Sequence, residues 1–91
     1  MLIQLDHTVQ IWQEGETYVA HVHPLDVMSC GDTPQEARRN VEEAVRLFVK
    51  VAAEQGILDE IFRDAGYVLE DHRWVAPAIL SSERTTLALS A

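Results

Sequence analysis

Six residues near the middle of the chain, Gly31-Asp32-Thr33-Pro34-Gln35-Glu36, constrain the fold more than any other segment. Thr33 suits a helix N-cap, Pro34 the first helical position and Glu36 the third. In that capping box Thr33 and Glu36 satisfy orphan backbone donors reciprocally. The helix is predicted to run to about Gln55, where Gly56 can stop it in the left-handed conformation. Its apolar stripe is Ala37, Val41, Ala44, Val45, Phe48, Val51 and Ala52, with Arg39, Glu43, Arg46 and Lys50 opposite. A stripe of that kind requires an apolar surface to cover.

The residues before it supply one. Positions 2–12 alternate, with Ile3, Leu5, Val9 and Ile11 on one face and Gln4, Asp6, Thr8 and Gln10 on the other. This is the pattern of a half-buried strand. Positions 17–23 alternate too, Tyr18, Ala20 and Val22 against Thr17, His21 and His23. A two-residue turn at Glu14-Gly15 would join them, with Gly15 supplying the positive φ. It would pair Trp12 with Thr17, Gln10 with Val19, Thr8 with His21 and Asp6 with His23. On the other face it would pair Ile11 with Tyr18, Val9 with Ala20 and His7 with Val22. Asp26 to Cys30 reads as a third strand, entered through Pro24-Leu25.

After the long helix, Leu58 to Asp64 reads as a shorter one followed by Gly66. Tyr67-Val68-Leu69 reads as a strand and Glu70-Asp71-His72-Arg73 as a polar turn. Pro77 would confine a strand over Trp74 to Ile79 to an edge. Arg84 to Leu89 is β-compatible. The expected class is α+β: an antiparallel three- to four-stranded sheet, covered on one face by a long helix, with a second short helix. Residues 1–69 would form the domain, and 70–91 a C-terminal extension acting as an edge strand or interface arm.

At 91 residues the chain implies one domain. It carries 15 acidic and 7 basic side chains, a formal net charge of -8. Phosphate binding needs clustered Lys and Arg, so direct nucleic-acid binding is not expected. An acidic chain is instead drawn to a basic partner. Cys30 is the only cysteine, which excludes an internal disulfide and suits a reducing cytoplasm. No basic segment precedes an apolar one at the N-terminus, so no signal peptide is expected. No apolar run approaches the ~20 residues that span a bilayer, so no membrane association is expected.

The order of these elements carries a resemblance. Tyr18-Val19-Ala20 precedes Asp32-Thr33-Pro34-Gln35-Glu36-Ala37, then Asn40, Glu43, Ala44, Val45 and Phe48. Residues 9–50 in this arrangement resemble the HicB antitoxin family, and 54–67 resemble a short subgroup of HicB-like proteins. The resemblance implies a truncated ribonuclease-H-like sheet with one covering helix, and a homodimer or higher homo-oligomer. It also implies a non-enzymatic antitoxin of a type II toxin–antitoxin system. Such proteins neutralise HicA, a small basic mRNA ribonuclease that uses a histidine, by covering its RNA surface. Two departures are visible. Many members carry a Pro-Glu-Leu-Pro-Gly-Cys turn, whereas Pro24 to Cys30 here lacks the second Pro and the Gly. Full-length members append a DNA-binding domain, whereas the residues after Lys50 are acidic and lack a basic recognition helix. The alternatives are a solitary oligomeric protein- or ligand-binding module that kept the fold without a toxin, and a metal-dependent nuclease.

Candidate sites follow from the faces. His21 and His23 share one face, and the expected register sets Asp6 across from His23, a set known to bind transition metals. His7 falls on the opposite face, so the simpler reading is a polar solvent-facing surface without metal or cofactor. Trp12 and Val19 make that same face less polar than a solvated one should be. Trp12, Val19, His21 and His23 are therefore candidates for an interface with a toxin or a second subunit, unless Trp74 to Ile79 folds over them. A nuclease would need further carboxylates around Asp6. Asp26, Asp32 and Glu36 already have loop and cap roles. Cys30 lacks a histidine at a supporting spacing and reads as a small buried hydrophobe. No catalytic residues are expected.

Overall fold

The computed structural model describes residues 2–91. In chain order it contains β1 (Gln4–Leu5), β2 (Thr8–Glu14), β3 (Thr17–His23), β4 (Val27–Gly31), α1 (Pro34–Glu54), α2 (Leu58–Asp64), β5 (Val68–Glu70) and β6 (Arg73–Val75). The α+β class with one long and one short helix is present, but the strands form two three-stranded sheets. One is antiparallel, in the order β2-β3-β4; the other has the order β1-β6-β5, with β1 parallel to β6.

The single strand expected over residues 2–12 is thus divided at Asp6-His7. Asp6 is held away from the hairpin by the C-terminal part of the chain. Its N–H donates to the Trp74 carbonyl at 3.0 Å, and its own carbonyl accepts from the Tyr67 hydroxyl at 2.6 Å. The Arg73 guanidinium donates to both carboxylate oxygens at 3.0 Å. Both halves of the segment alternate, so alternation could not show that they take different neighbours.

The hairpin turn also lies one residue later than expected, at Gly15-Glu16. Gly15 has φ +63, and Glu16 is not among the positive-φ residues. A positive φ at the first central position alone is the type II′ pattern, which suits the twist of paired strands. The pairs are Thr8–His23, Val9–Val22, Gln10–His21, Ile11–Ala20 and Trp12–Val19. This register is displaced by two residues from the expected one. Because side chains alternate with period two, every residue keeps its face and changes its partner.

α1 begins as its sequence requires. The Thr33 hydroxyl accepts from the Glu36 N–H at 3.0 Å and Pro34 opens the first turn. The return half of the box, from Thr33 N–H to the Glu36 carboxylate, does not form. The Asn40 side chain donates to the Cys30 carbonyl at 2.8 Å, tying the helix to the end of β4. Gly31 is set by close approach: a Cβ there would lie 2.6 Å from Ala37 N and 2.9 Å from the Glu36 carbonyl carbon. At the far end Gly56, with φ +72, gives its N–H to Ala53 O while Ile57 gives its own to Ala52 O. That pair of bonds is a Schellman stop.

α1 serves two cores. Its first half packs Ala37 and Val41 on Ala20 and Val22, with Val9, Tyr18, Val27 and Val45 at the margin. Its last turns contribute Ala52 and Val49 to a second cluster of Leu58, Phe62, Tyr67 and Trp74, flanked by Ile3 and Leu5. The Phe62 ring lies 5.1 Å from Trp74, edge-on, and 5.5 Å from Tyr67. The inward line of α1 therefore runs 37-41-45-49-52. Phe48 and Val51, expected on the stripe, are 36% and 41% exposed. They form an apolar groove with Leu47, Ile57 and Ile61.

One expectation for the C-terminal part is corrected. β6 is the central strand of its sheet, not an edge, because Pro77 falls beyond its end and costs the ladder nothing. Residue 69 lies within the β5–β6 hairpin, whose turn is Asp71-His72 with both φ positive. From Pro77 to Ala91 every residue is exposed and none is in a helix or strand. The Cα radius of gyration is 15.5 Å, against about 12 Å for a compact chain of this length.

Candidate functional site

α1 covers the side of the β2-β3-β4 sheet that bears Val9, Tyr18, Ala20, Val22 and Val27. The opposite side bears the alternate residues, and the observed register arranges them in rows. Trp12, Val19 and Cys30 stand in one row; Gln10, His21 and Met28 form the next; Thr8 and His23 lie beyond. Directly paired residues point to the same side, so each row is a contiguous strip. Trp12 is 38% and Met28 54% exposed, and Cys30 is exposed, whereas Val19 between Trp12 and Cys30 is buried. Trp74, offered as a cover for this face, lies instead in the second core.

The structure thus brings Trp12, Val19 and His21 together and adds Met28 and Cys30, which sequence reading left out. Their signal was present in the alternation of Val27 to Gly31, since residues 28 and 30 fall opposite Val27. Cys30, expected to be buried, is exposed because strand parity turns it away from the helix.

Asp6 is not across from His23; Thr8 is. The carboxylate beside the histidines is that of Asp26, whose oxygen lies 2.7 Å from His21 Nε2. Asp26 adopts φ +61 in the turn between β3 and β4, a conformation aspartate tolerates, and its N–H donates to Val22 O. His23 is exposed and His7 Nδ1 lies 3.2 Å from Leu5 O. Among the described residues no group of three or more His, Cys, Asp or Glu side chains is placed to hold a metal ion.

The electrostatics of this face are one-sided. Residues 8–31 contain Glu14, Glu16 and Asp26 but no Lys or Arg. Asp6, by contrast, is matched by Arg73, whose guanidinium pKa is pushed up, first by its hydrogen bond to the Asp6 carboxylate and then by that charge. Arg38 is paired with Glu42 at 3.0 Å along α1. The open face is therefore a partly apolar strip with acids at both ends of β3. No helix is long and apolar enough to cross a membrane among the described residues. No family model, curated protein or solved structure matches the chain.

Proposed function

We propose that this chain is a HicB-like, non-enzymatic antitoxin that binds and occludes a small basic HicA-type mRNA ribonuclease. The observation that carries the reading is the open side of the β2-β3-β4 sheet, where the Trp12-Val19-Cys30 row sits on strands devoid of Lys and Arg. An RNA-binding toxin presents a basic surface, which the acids around this face would steer into place. Trp12 and Met28 supply apolar area that becomes buried on contact, and a large aromatic is a usual energetic anchor of such a patch. The order of hairpin, third strand and Thr33-capped helix, on which the resemblance rests, supports the same reading.

The test is direct. Any small basic, histidine-containing protein encoded beside this chain is purified and its ribonuclease activity measured with and without the chain. The expected result is a stable complex and lost RNA cleavage, with Trp12→Glu weakening both while leaving thermal stability unchanged. A purified pair that neither associates nor shows inhibition refutes the proposal.

A further inference from the structure

The arm beyond Val75 is at odds with its surroundings. Residues 76–91 contain one acid, Glu83, and one base, Arg84, so they are neutral, and the whole -8 resides on residues 1–75. Solvated tails are ordinarily rich in charge and poor in apolar side chains. This one exposes Ile79, Leu80, Leu87 and Leu89, at 50%, 95%, 76% and 79%. Over 84–89 it alternates, with Thr85, Leu87 and Leu89 on one side and Arg84, Thr86 and Ala88 on the other, the pattern of a strand with one buried face.

The body has an edge to match. β2 lies at the border of its sheet and is seven residues long, whereas the other border strands, β4, β5 and β1, have five, three and two. Only Val9 in β2 is even partly buried, and Ile11, on the helix side, is 37% exposed. α1 lies chiefly over β3 and β4, so the helix side of β2 is left uncovered. An unprotected edge of this length is a template for another strand.

We infer that residues 84–89 of a second copy of this chain add as a strand to the free edge of β2, reciprocally, making a twofold dimer. Leu87 and Leu89 then continue the apolar helix side beside Val9 and Ile11. Arg84, the arm's sole base, joins a strand whose only charged residue is Glu14. The pairing satisfies backbone donors and acceptors on both partners, the way extended segments dock on sheet edges. It is placed between copies because residues 77–91 are exposed on their own chain and none of them is paired in a strand there. It is independent of the toxin reading, since it uses the edge of the sheet and not its open face.

The experiment compares the full chain with Leu87→Asp/Leu89→Asp by sedimentation and by backbone amide exchange. Neither leucine is buried in its own chain, so the variant keeps the fold, which circular dichroism checks. The expected wild type has twice the chain mass and protected amides over 85–89. The expected variant has half that mass and has lost the protection. A wild-type monomer, a dimer whose mass survives the substitution, or arm protection that does not depend on concentration overturns the inference.

Discussion

Replacing Tyr67 by Phe should reverse the order of stability between neutral and strongly alkaline solution. Tyr67 is 3% exposed, and its hydroxyl donates to the Asp6 carbonyl at 2.6 Å. Burial, and then the nearby Asp6 charge, push its pKa from 10.0 to about 12. The neutral phenol is thus favoured in the folded chain. Below about pH 10 both folded and unfolded states hold the proton. Between there and about 12 the unfolded state releases it first, so stability falls as pH rises. At about 1.4 kcal/mol per unit, the loss over this window is on the order of 3 kcal/mol. Phenylalanine has no such proton. It forfeits a hydrogen bond worth about 1 kcal/mol at neutral pH. Urea unfolding followed across the alkaline range should therefore show the variant weaker at neutrality, level near pH 11 and stronger above. Other titrating groups act on both proteins and cancel in the difference. A difference that stays constant from neutrality to pH 12 refutes the reasoning.

Further outcomes follow from the packing. Gly31→Ala drives a methyl against Ala37 N and the Glu36 backbone, and should lower the urea stability by about 1–3 kcal/mol. Phe62→Ala opens the fully buried centre of the second core and should cost about 3–5 kcal/mol, read as a lower melting temperature. Thr33→Ala removes the acceptor for Glu36 N–H and should cost about 1 kcal/mol by the same measurement, whereas Thr33→Gly should cost only about a few tenths of that. In the proposed toxin complex, added salt should slow association while Trp12→Ala chiefly speeds dissociation, both read by surface binding kinetics.

The parts of the fold legible in the sequence are those enforced locally. Thr33 and Pro34 start α1, Gly56 ends it, and Gly66 follows α2, because caps and left-handed stops depend on neighbouring residues alone. The faces of β2 and β3 were legible as well, since an error of two residues in register leaves parity intact. The partners of Asp6 were not. Arg73, Tyr67 and Trp74 lie more than sixty positions away, and no periodic pattern records which distant strand a two-residue segment joins. Phe48 and Val51 escaped for a related reason. The apolar arc of α1 is wider than the sheet beneath it, and hydrophobicity does not show where coverage stops. Of the expected site residues Trp12, Val19 and His21 cluster, while Asp6 is claimed by Arg73 and leaves the histidines to Asp26.

That loss of Asp6 sharpens the meaning of the chain's charge. Net charge counts every carboxylate, but a partner meets only those left without a counter-ion. Asp6 is matched by Arg73 and Glu42 by Arg38, so neither projects an unbalanced field. Glu14 and Glu16 flank the hairpin turn, and Asp26 sits at the opposite end of the sheet beside His21, with no Lys or Arg in residues 8–31. Glu14, Glu16 and Asp26 therefore bracket the open face at both ends of β3, with Trp12, Val19, Met28 and Cys30 between them. Charges of that kind act over about a Debye length and orient an approaching basic surface, while their exposed pairs add little to the strength of the final complex. Holding the complex together falls to the apolar strip, where burial removes area from water regardless of salt. Acidity alone would suit any cationic surface, but acids placed around an apolar strip that carries Trp12 suit one whose shape also fits the sheet.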